Sequence, residues 1–161
     1  MCAVTVRCWT GTFGHRDRPA GVQSRLVLAS ALDSVRLWLH VLGACVWVGG
    51  QLTLAALVPA LRLAGPDVPR RAARAFNRIA WPAYGLLLVT GVWNVAAVNA
   101  ADHPDSTYQA VLAAKVAVVA ASGVTAWLHT RATTPRGLAV WGALTGLTAL
   151  SALYLGVLLA G

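Results

Sequence analysis

Four long apolar segments, separated by short polar connections, dominate the pattern of this chain. No charged residue occurs from Leu37 to Leu61, and a helix of that length can cross the roughly 30 Å hydrocarbon core of a bilayer. Three further apolar segments follow it. The pattern therefore predicts an all-α fold, a four-helix transmembrane bundle, with spans at about 34–61, 79–100, 109–130 and 137–161.

The connection between the first two predicted spans is rich in arginine. Gly65 and Pro66 end the first helix, and Arg70, Arg74 and Arg78 then recur every four residues. A helix with such a cationic face lies at the membrane surface or extends the next span outward. We expect a short interfacial helix between spans 1 and 2.

The residues before the first span, 1–33, contain arginines and no sustained periodicity. A secretory signal peptide has an apolar core directly after a basic start, whereas the only candidate here, Leu26 to Leu32, is short and comes late. We expect a basic, disordered N-terminal tail followed by a single membrane domain, 34–161.

Composition and charge agree with a membrane protein. Hydrophobic residues make up 58% of the chain and charged residues 11%, against about a quarter charged in soluble domains. The net charge of +8 comes mostly from arginines outside the apolar segments. Such arginines favour contacts with anionic lipid headgroups, and no nucleic-acid partner is expected.

The distribution of charge between the connections predicts the orientation. Seven arginines lie in the connections 62–78 and 131–136, whereas the second connection carries Asp102 and Asp105. Short basic loops stay in the cytoplasm. Both of those arginine-rich loops are therefore expected to be cytoplasmic, with both termini outside.

The first span carries one histidine. At 100° per residue, His40, Ala44, Trp47 and Gln51 fall within a narrow stripe of the helix, and Cys45 points roughly the opposite way. A histidine in a membrane helix is costly to leave unpaired, so it faces protein or water. His40 is therefore either a ligand of something that the protein handles or a hydrogen-bonded packing residue.

Further polar residues are expected near the outer end of the bundle, with His40. Copper(II) favours imidazole and oxygen ligands, and His40, His103 and one of Asp102 or Asp105 could form a copper site there. Alternatively, His40 hydrogen-bonds Asn94, Thr90 or a backbone carbonyl inside the bundle, and His103 is a solvated loop residue. The remaining outer-end candidates are Asn94 and Lys115.

Lys115 has two interpretations. It is a snorkelling anchor that reaches the nearer membrane surface, or it is a counter-ion to Asp102 or Asp105 or part of a proton or anion path. Trp47 is interpreted in the same way, as core packing or as a ligand contact beside His40.

Haem is the alternative cofactor. Ligation by two histidines requires both at one depth, but His129 lies at the inner end of the third predicted span and His40 near the outer end of the first. Haem held by His40 alone stays open. No hydrolytic or nucleotide-binding motif is present, and no enzymatic activity is expected.

The order of four motifs resembles the copper resistance D (CopD-type) membrane domain between Trp38 and Arg131. The motifs are LHVLGACVWVGG, RRAARAFNRIA, TGVWN and AAKVAVVAASG. The resemblance implies a protein of the plasma (inner) membrane that takes part in copper uptake or tolerance. The family residues that carry over are His40, Trp47, Gly49, Gly50, Arg74, Phe76, Thr90, Gly91 and Lys115.

The chain departs from the family pattern in two places. Ala75 separates Arg74 from Phe76, and Met1 is the only methionine, so a ladder of thioether ligands for copper(I) is impossible. Four spans leave little room for a transport path within a single chain. We therefore expect a homo-oligomer or a partner membrane subunit. A ligand-free structural or assembly subunit is the remaining alternative.

Overall fold

The computed structural model describes residues 20–101 and 105–160, and the side chains of residues 31–98 and 105–159. The chain divides into two units, Met1–Asp33 and Ser34–Gly161, and the second contains the membrane bundle. All regular structure in the described residues is helical.

Five α-helices and one π-helical turn make up the described chain. They are α1 (Ala20–Ala44), the π turn (Cys45–Gly49), α2 (Gly50–Ala64), α3 (Val68–Ala101), α4 (Ser106–Arg131) and α5 (Pro135–Ala160). Four stretches are long and apolar enough to cross a membrane: Ala31–Ala64, Val68–Val98, Ser106–Arg131 and Pro135–Leu159. The predicted all-α, four-span membrane bundle is confirmed.

The start of α1 differs from the sequence-based expectation. Residues 20–33 are helical, whereas the chain was expected to be disordered up to residue 33. Beyond Gly21 this stretch contains neither glycine nor proline and is rich in alanine and leucine, which favour helix. The rest of the predicted tail, residues 1–19, lies outside the described residues.

The arginine-rich segment does not form a separate interfacial helix. It is the first part of α3, which runs without interruption from Val68 to Ala101. The chain reverses just before it at Gly65, whose φ of +147° favours glycine. The alanines among the arginines are strong helix formers, so the helix that starts after this turn continues into the second span.

The helices pack in two principal pairs. α2 and the π turn pack on α3, α4 packs along α5, and the π turn also contacts α5. Trp47 lies at the centre of the core, with 4% of its surface exposed, between the buried Ala80 and Ala149. Small residues of this kind let membrane helices approach closely.

The residue that follows the π turn, Gly50, packs closely against α3. A Cβ atom on Gly50 would overlap the ring of Phe76, whereas a Cβ atom on Gly49 would meet nothing within 4 Å. Only one glycine of the pair is therefore required by packing. A π turn holds more residues than an α turn and shifts the phase of the helix that follows, so the predicted single stripe does not continue unbroken to Gln51.

Candidate functional site

The first and second spans are joined by a polar contact between His40 of α1 and Thr90 of α3. His40 Nδ1 lies 2.8 Å from Thr90 Oγ1. The threonine is 2% exposed, although no charged residue lies between Leu37 and Leu61 or between Ile79 and Val98. Thr90 was one of the hydrogen-bond partners expected for His40, and it is the partner found in the structure.

The hydroxyl of Thr90 also contacts its own helix, and this contact bears on which nitrogen of His40 carries the proton. Thr90 Oγ1 donates to the carbonyl of Leu86 at 2.7 Å, so its lone pairs remain to accept a hydrogen bond. When this bond is formed, His40 Nδ1–H is the donor in the 2.8 Å contact, whereas a ring with its proton on Nε2 would accept from the threonine hydroxyl. In the neutral ring, Nδ1–H as the donor leaves the lone pair on Nε2, which is the arrangement of a histidine prepared to bind a metal.

Two glycines provide space around the side chains of His40 and Lys115. A Cβ atom on Gly91 of α3 would lie 3.6 Å from His40 Cε1, and a Cβ atom on Gly156 of α5 would lie 3.1 Å from Lys115 Nζ. The ammonium of Lys115 therefore lies across the contact between α4 and α5. It is also close enough to His40 to interact with it electrostatically. The Lys115 side chain is thus directed toward α5.

Asn94 lies one helical turn beyond Thr90 on α3, at the spacing that places two residues on one face. Its Oδ1 atom is buried, and no hydrogen-bond partner is found for it in the described part of the chain. A buried amide oxygen without a partner costs free energy. Together, His40, Thr90, Asn94 and Lys115 form what we call the polar layer.

An aromatic cluster lies deeper in the bundle than the polar layer. Trp47 packs against Tyr84 with ring centroids 4.6 Å apart and against Trp81 at 5.9 Å. Trp47 Nε1 donates to Ser122 Oγ at 3.2 Å, and Tyr84 Oη donates to the carbonyl of Val119 at 2.9 Å. The cluster joins the first three spans and fills the interior beneath His40.

The polar layer and the second connection are not brought together. Asp105 is the N-cap of α4, where its side chain accepts from Tyr108 N at 2.8 Å. Lys115 follows ten residues later, so helical rise separates Asp105 from the level of Lys115 by about 15 Å along α4. Asp102 and His103 lie outside the described residues. Within those residues, no group of three or more His, Cys, Asp or Glu side chains is close enough to hold a metal ion.

The remaining residues considered in the sequence, His129, Gln51 and Cys45, are not part of the polar layer. His129, at the inner end of α4, packs against Gly142 of α5 and has a buried Nδ1 without a hydrogen-bond partner among the described residues. It lies fourteen residues from Lys115, about 21 Å along the helix. Gln51 is half-buried in α2, and Cys45 is exposed.

Two residues of the aromatic cluster were missed by the sequence reasoning, Ser122 and Tyr84. The signal that could have found Ser122 is the adjacent pair of small residues Ser122 and Gly123, buried in the middle of α4. Small residues mark close helix contacts in membranes. A Cβ atom on Gly123 would overlap the Tyr84 ring.

Comparison with models of protein families shows to which family the chain belongs. The family model for copper resistance protein D matches residues 70–160, which is more than half of the chain. The chain belongs to the copper resistance protein D family. The sequence resemblance to this family is thereby confirmed, and the protein is a multi-pass membrane protein of the copper resistance D type.

The matched residues run from the arginine-rich start of α3 to the end of α5. They include Thr90 and Lys115, whereas His40 lies in the first span, outside the matched range. Thus the part of the chain that belongs to the copper resistance protein D family supplies three of the four residues of the polar layer. The comparisons with curated proteins and with solved structures find no match.

Proposed function

We propose that this protein takes part in copper transport or tolerance, and that a copper ion is its cargo. The observation that supports the proposal is the 2.8 Å contact between His40 Nδ1 and Thr90 Oγ1. With Nδ1 as the donor, the Nε2 lone pair is free to bind a metal ion inside a membrane protein of the copper resistance D type. A backbone or side-chain acceptor on the other ring nitrogen is the usual support of a metal-binding histidine.

The chemistry of the donors favours copper(II) over copper(I). Imidazole nitrogen and carboxylate oxygen suit copper(II), whereas copper(I) prefers sulfur. Cys45 is exposed, and the only methionine is Met1. We propose that His40 is the inner ligand and that Asp102, His103 and Asp105 meet the ion first in the second connection.

The aromatic cluster supports access from one end only. Because Trp47, Tyr84 and Trp81 fill the interior beneath His40, an ion reaches the histidine from the side of the second connection. The short basic loops 62–78 and 131–136 favour the cytoplasm. We therefore propose a plasma-membrane protein with both termini and the copper entrance outside. A homo-oligomer or a partner subunit would supply the continuation of the path.

The experiment that tests this function is copper flux into vesicles that contain the purified full chain. A copper-sensitive dye inside the vesicles records uptake for the wild type and for His40→Ala, and Gly49→Ala serves as a control variant in the same span. Uptake that is lost in His40→Ala and retained in Gly49→Ala supports the proposal. Equal uptake by all three proteins contradicts it. A Soret band in the visible spectrum of the purified protein would replace copper by haem.

A further inference from the structure

An apolar groove opens on the surface of the bundle between α2 and α3. Its walls include Leu54 and Leu57 of α2 and Phe76 and Ile79 of α3. Gly50 forms part of its lining, where a side chain would overlap the Phe76 ring. In a membrane-spanning bundle, an open apolar groove of this kind faces lipid chains.

The position of the groove along the helices can be estimated from the helical rise. Leu57 lies seven residues before the end of α2 at Ala64, and Phe76 lies eight residues after the start of α3 at Val68. At 1.5 Å per residue, the near end of the groove is about 10–12 Å from the connection between these helices. Gly50 is about 21 Å from it. Arg74 and Arg78 of α3 are exposed about 9 and 15 Å from the connection, so the near end of the groove lies at the level of these cations and its far end lies deeper in the bundle.

Several exposed arginines lie in the chain between the end of α2 and the groove residues of α3. Arg71, Ala75 and Ile79 follow one another every four residues, which places them in one row along α3, and all three are exposed. The row therefore leads from a cation near the helix end to a wall of the groove. The other exposed arginines of the region are Arg62, Arg70, Arg74 and Arg78, and Asp67 is the only acidic residue between residues 62 and 78.

We propose that this groove binds one anionic phospholipid, with an acyl chain along Leu54, Leu57, Phe76 and Ile79 and the phosphate at Arg71. Basic pockets at the ends of membrane helices recognise such headgroups, and an arginine can hold phosphate oxygens in a bidentate pair. The apolar groove and the cationic row match the two parts of one lipid molecule. A free phosphate ion would use the arginines and leave the groove unused.

The proposal is tested with the full chain in phosphatidylcholine vesicles that contain spin-labelled phosphatidylglycerol or spin-labelled phosphatidylcholine. Electron paramagnetic resonance separates lipid held by the protein from mobile lipid. We expect phosphatidylglycerol to be held several-fold more strongly than phosphatidylcholine. Arg71→Gln is expected to reduce this preference about fivefold, the usual effect of one arginine near a membrane surface.

Two variants separate a built site from general attraction. Arg136→Gln removes an exposed arginine of the 131–136 connection and should leave most of the preference intact. Ile79→Trp fills the groove without changing any charge, and it should reduce the amount of held phosphatidylglycerol. An equal effect of Arg71→Gln and Arg136→Gln, or no effect of Ile79→Trp, would overturn the proposal in favour of diffuse electrostatics. A competition with inorganic phosphate gives a further test. If inorganic phosphate released phosphatidylglycerol from the wild type, and Ile79→Trp held as much phosphatidylglycerol as the wild type, the proposal would also be overturned.

Discussion

His40 of the first span and Thr90 of the second share a 2.8 Å hydrogen bond, and the same threonine hydroxyl donates to the carbonyl of Leu86 at 2.7 Å. When the threonine hydroxyl donates to Leu86, the imidazole carries its proton on Nδ1. The hydrogen bond from Thr90 to Leu86 thus favours the tautomer of His40 whose Nε2 lone pair is free. The functional proposal for the polar layer rests on this relationship.

Thr90→Val should weaken copper binding about tenfold. Valine has nearly the same shape as threonine but accepts no hydrogen bond, and losing the support of a metal-binding histidine typically costs 10–100-fold in affinity. Thr90→Ser keeps the hydroxyl and should retain most of the affinity. Titration of the purified proteins with copper(II) measures the difference. Identical affinities for the valine and serine variants would show that the hydroxyl has no part in binding.

The contact between Trp47 and Ser122 should contribute measurably to stability. Trp47 Nε1 donates to Ser122 Oγ at 3.2 Å in the buried core, and hydrogen bonds between membrane helices contribute about 0.6 kcal/mol on average and about 1.7 at most. A double-mutant cycle with Trp47→Phe and Ser122→Ala should give a coupling energy in that range. The free energies of unfolding come from denaturation in mixed micelles. Strictly additive effects would mean that the two side chains do not interact.

The Gly49–Gly50 pair offers a matched test of the π turn. Gly50→Ala places a methyl group against the Phe76 ring, and overpacking of this kind costs about 1–3 kcal/mol. Gly49→Ala meets nothing within 4 Å and should be neutral or stabilising by up to about 1 kcal/mol, because alanine favours helix. The free energies of unfolding of both variants, compared with the wild type, test this difference. The reverse order of stability would contradict the packing described for this turn.

Gly156 should control the position of Lys115. A methyl group at this position would lie 3.1 Å from Nζ, and because Nζ is the free end of a flexible side chain it can move away. Lys115 is the only lysine, so acylation located by mass spectrometry reports on it directly. We expect faster labelling in Gly156→Ala than in the wild type. Gly146→Ala, which meets nothing within 4 Å, should label at the wild-type rate.

Much of the fold follows from the sequence because the membrane imposes simple rules. Apolar segments of sufficient length must form helices that satisfy their own backbone, and this predicts the number of spans and their approximate limits. The sequence also indicates that His40 faces protein rather than lipid, because an unpaired histidine in lipid is costly.

The finer details depend on contacts that a single sequence does not reveal. The π turn at Cys45–Gly49 arises where Gly50 meets Phe76 of another helix, so nothing in the first span alone predicts it. The local sequence also gave one wrong prediction. The arginine-rich segment was expected to form a separate interfacial helix, but its alanines favour helix and it forms the first part of α3. The burial of Ser122 likewise depends on Trp47, 75 residues away.

The most direct test of the central claim is the amount of copper bound per chain at equilibrium. Purified protein in detergent is dialysed against copper(II), and metal content is measured for the wild type, His40→Ala and the matched variant Gly49→Ala. The account predicts one copper ion per wild-type chain, the same in Gly49→Ala and a loss in His40→Ala. Equal copper content in the wild type and His40→Ala would contradict it, and His40 would then be a packing residue held by Thr90.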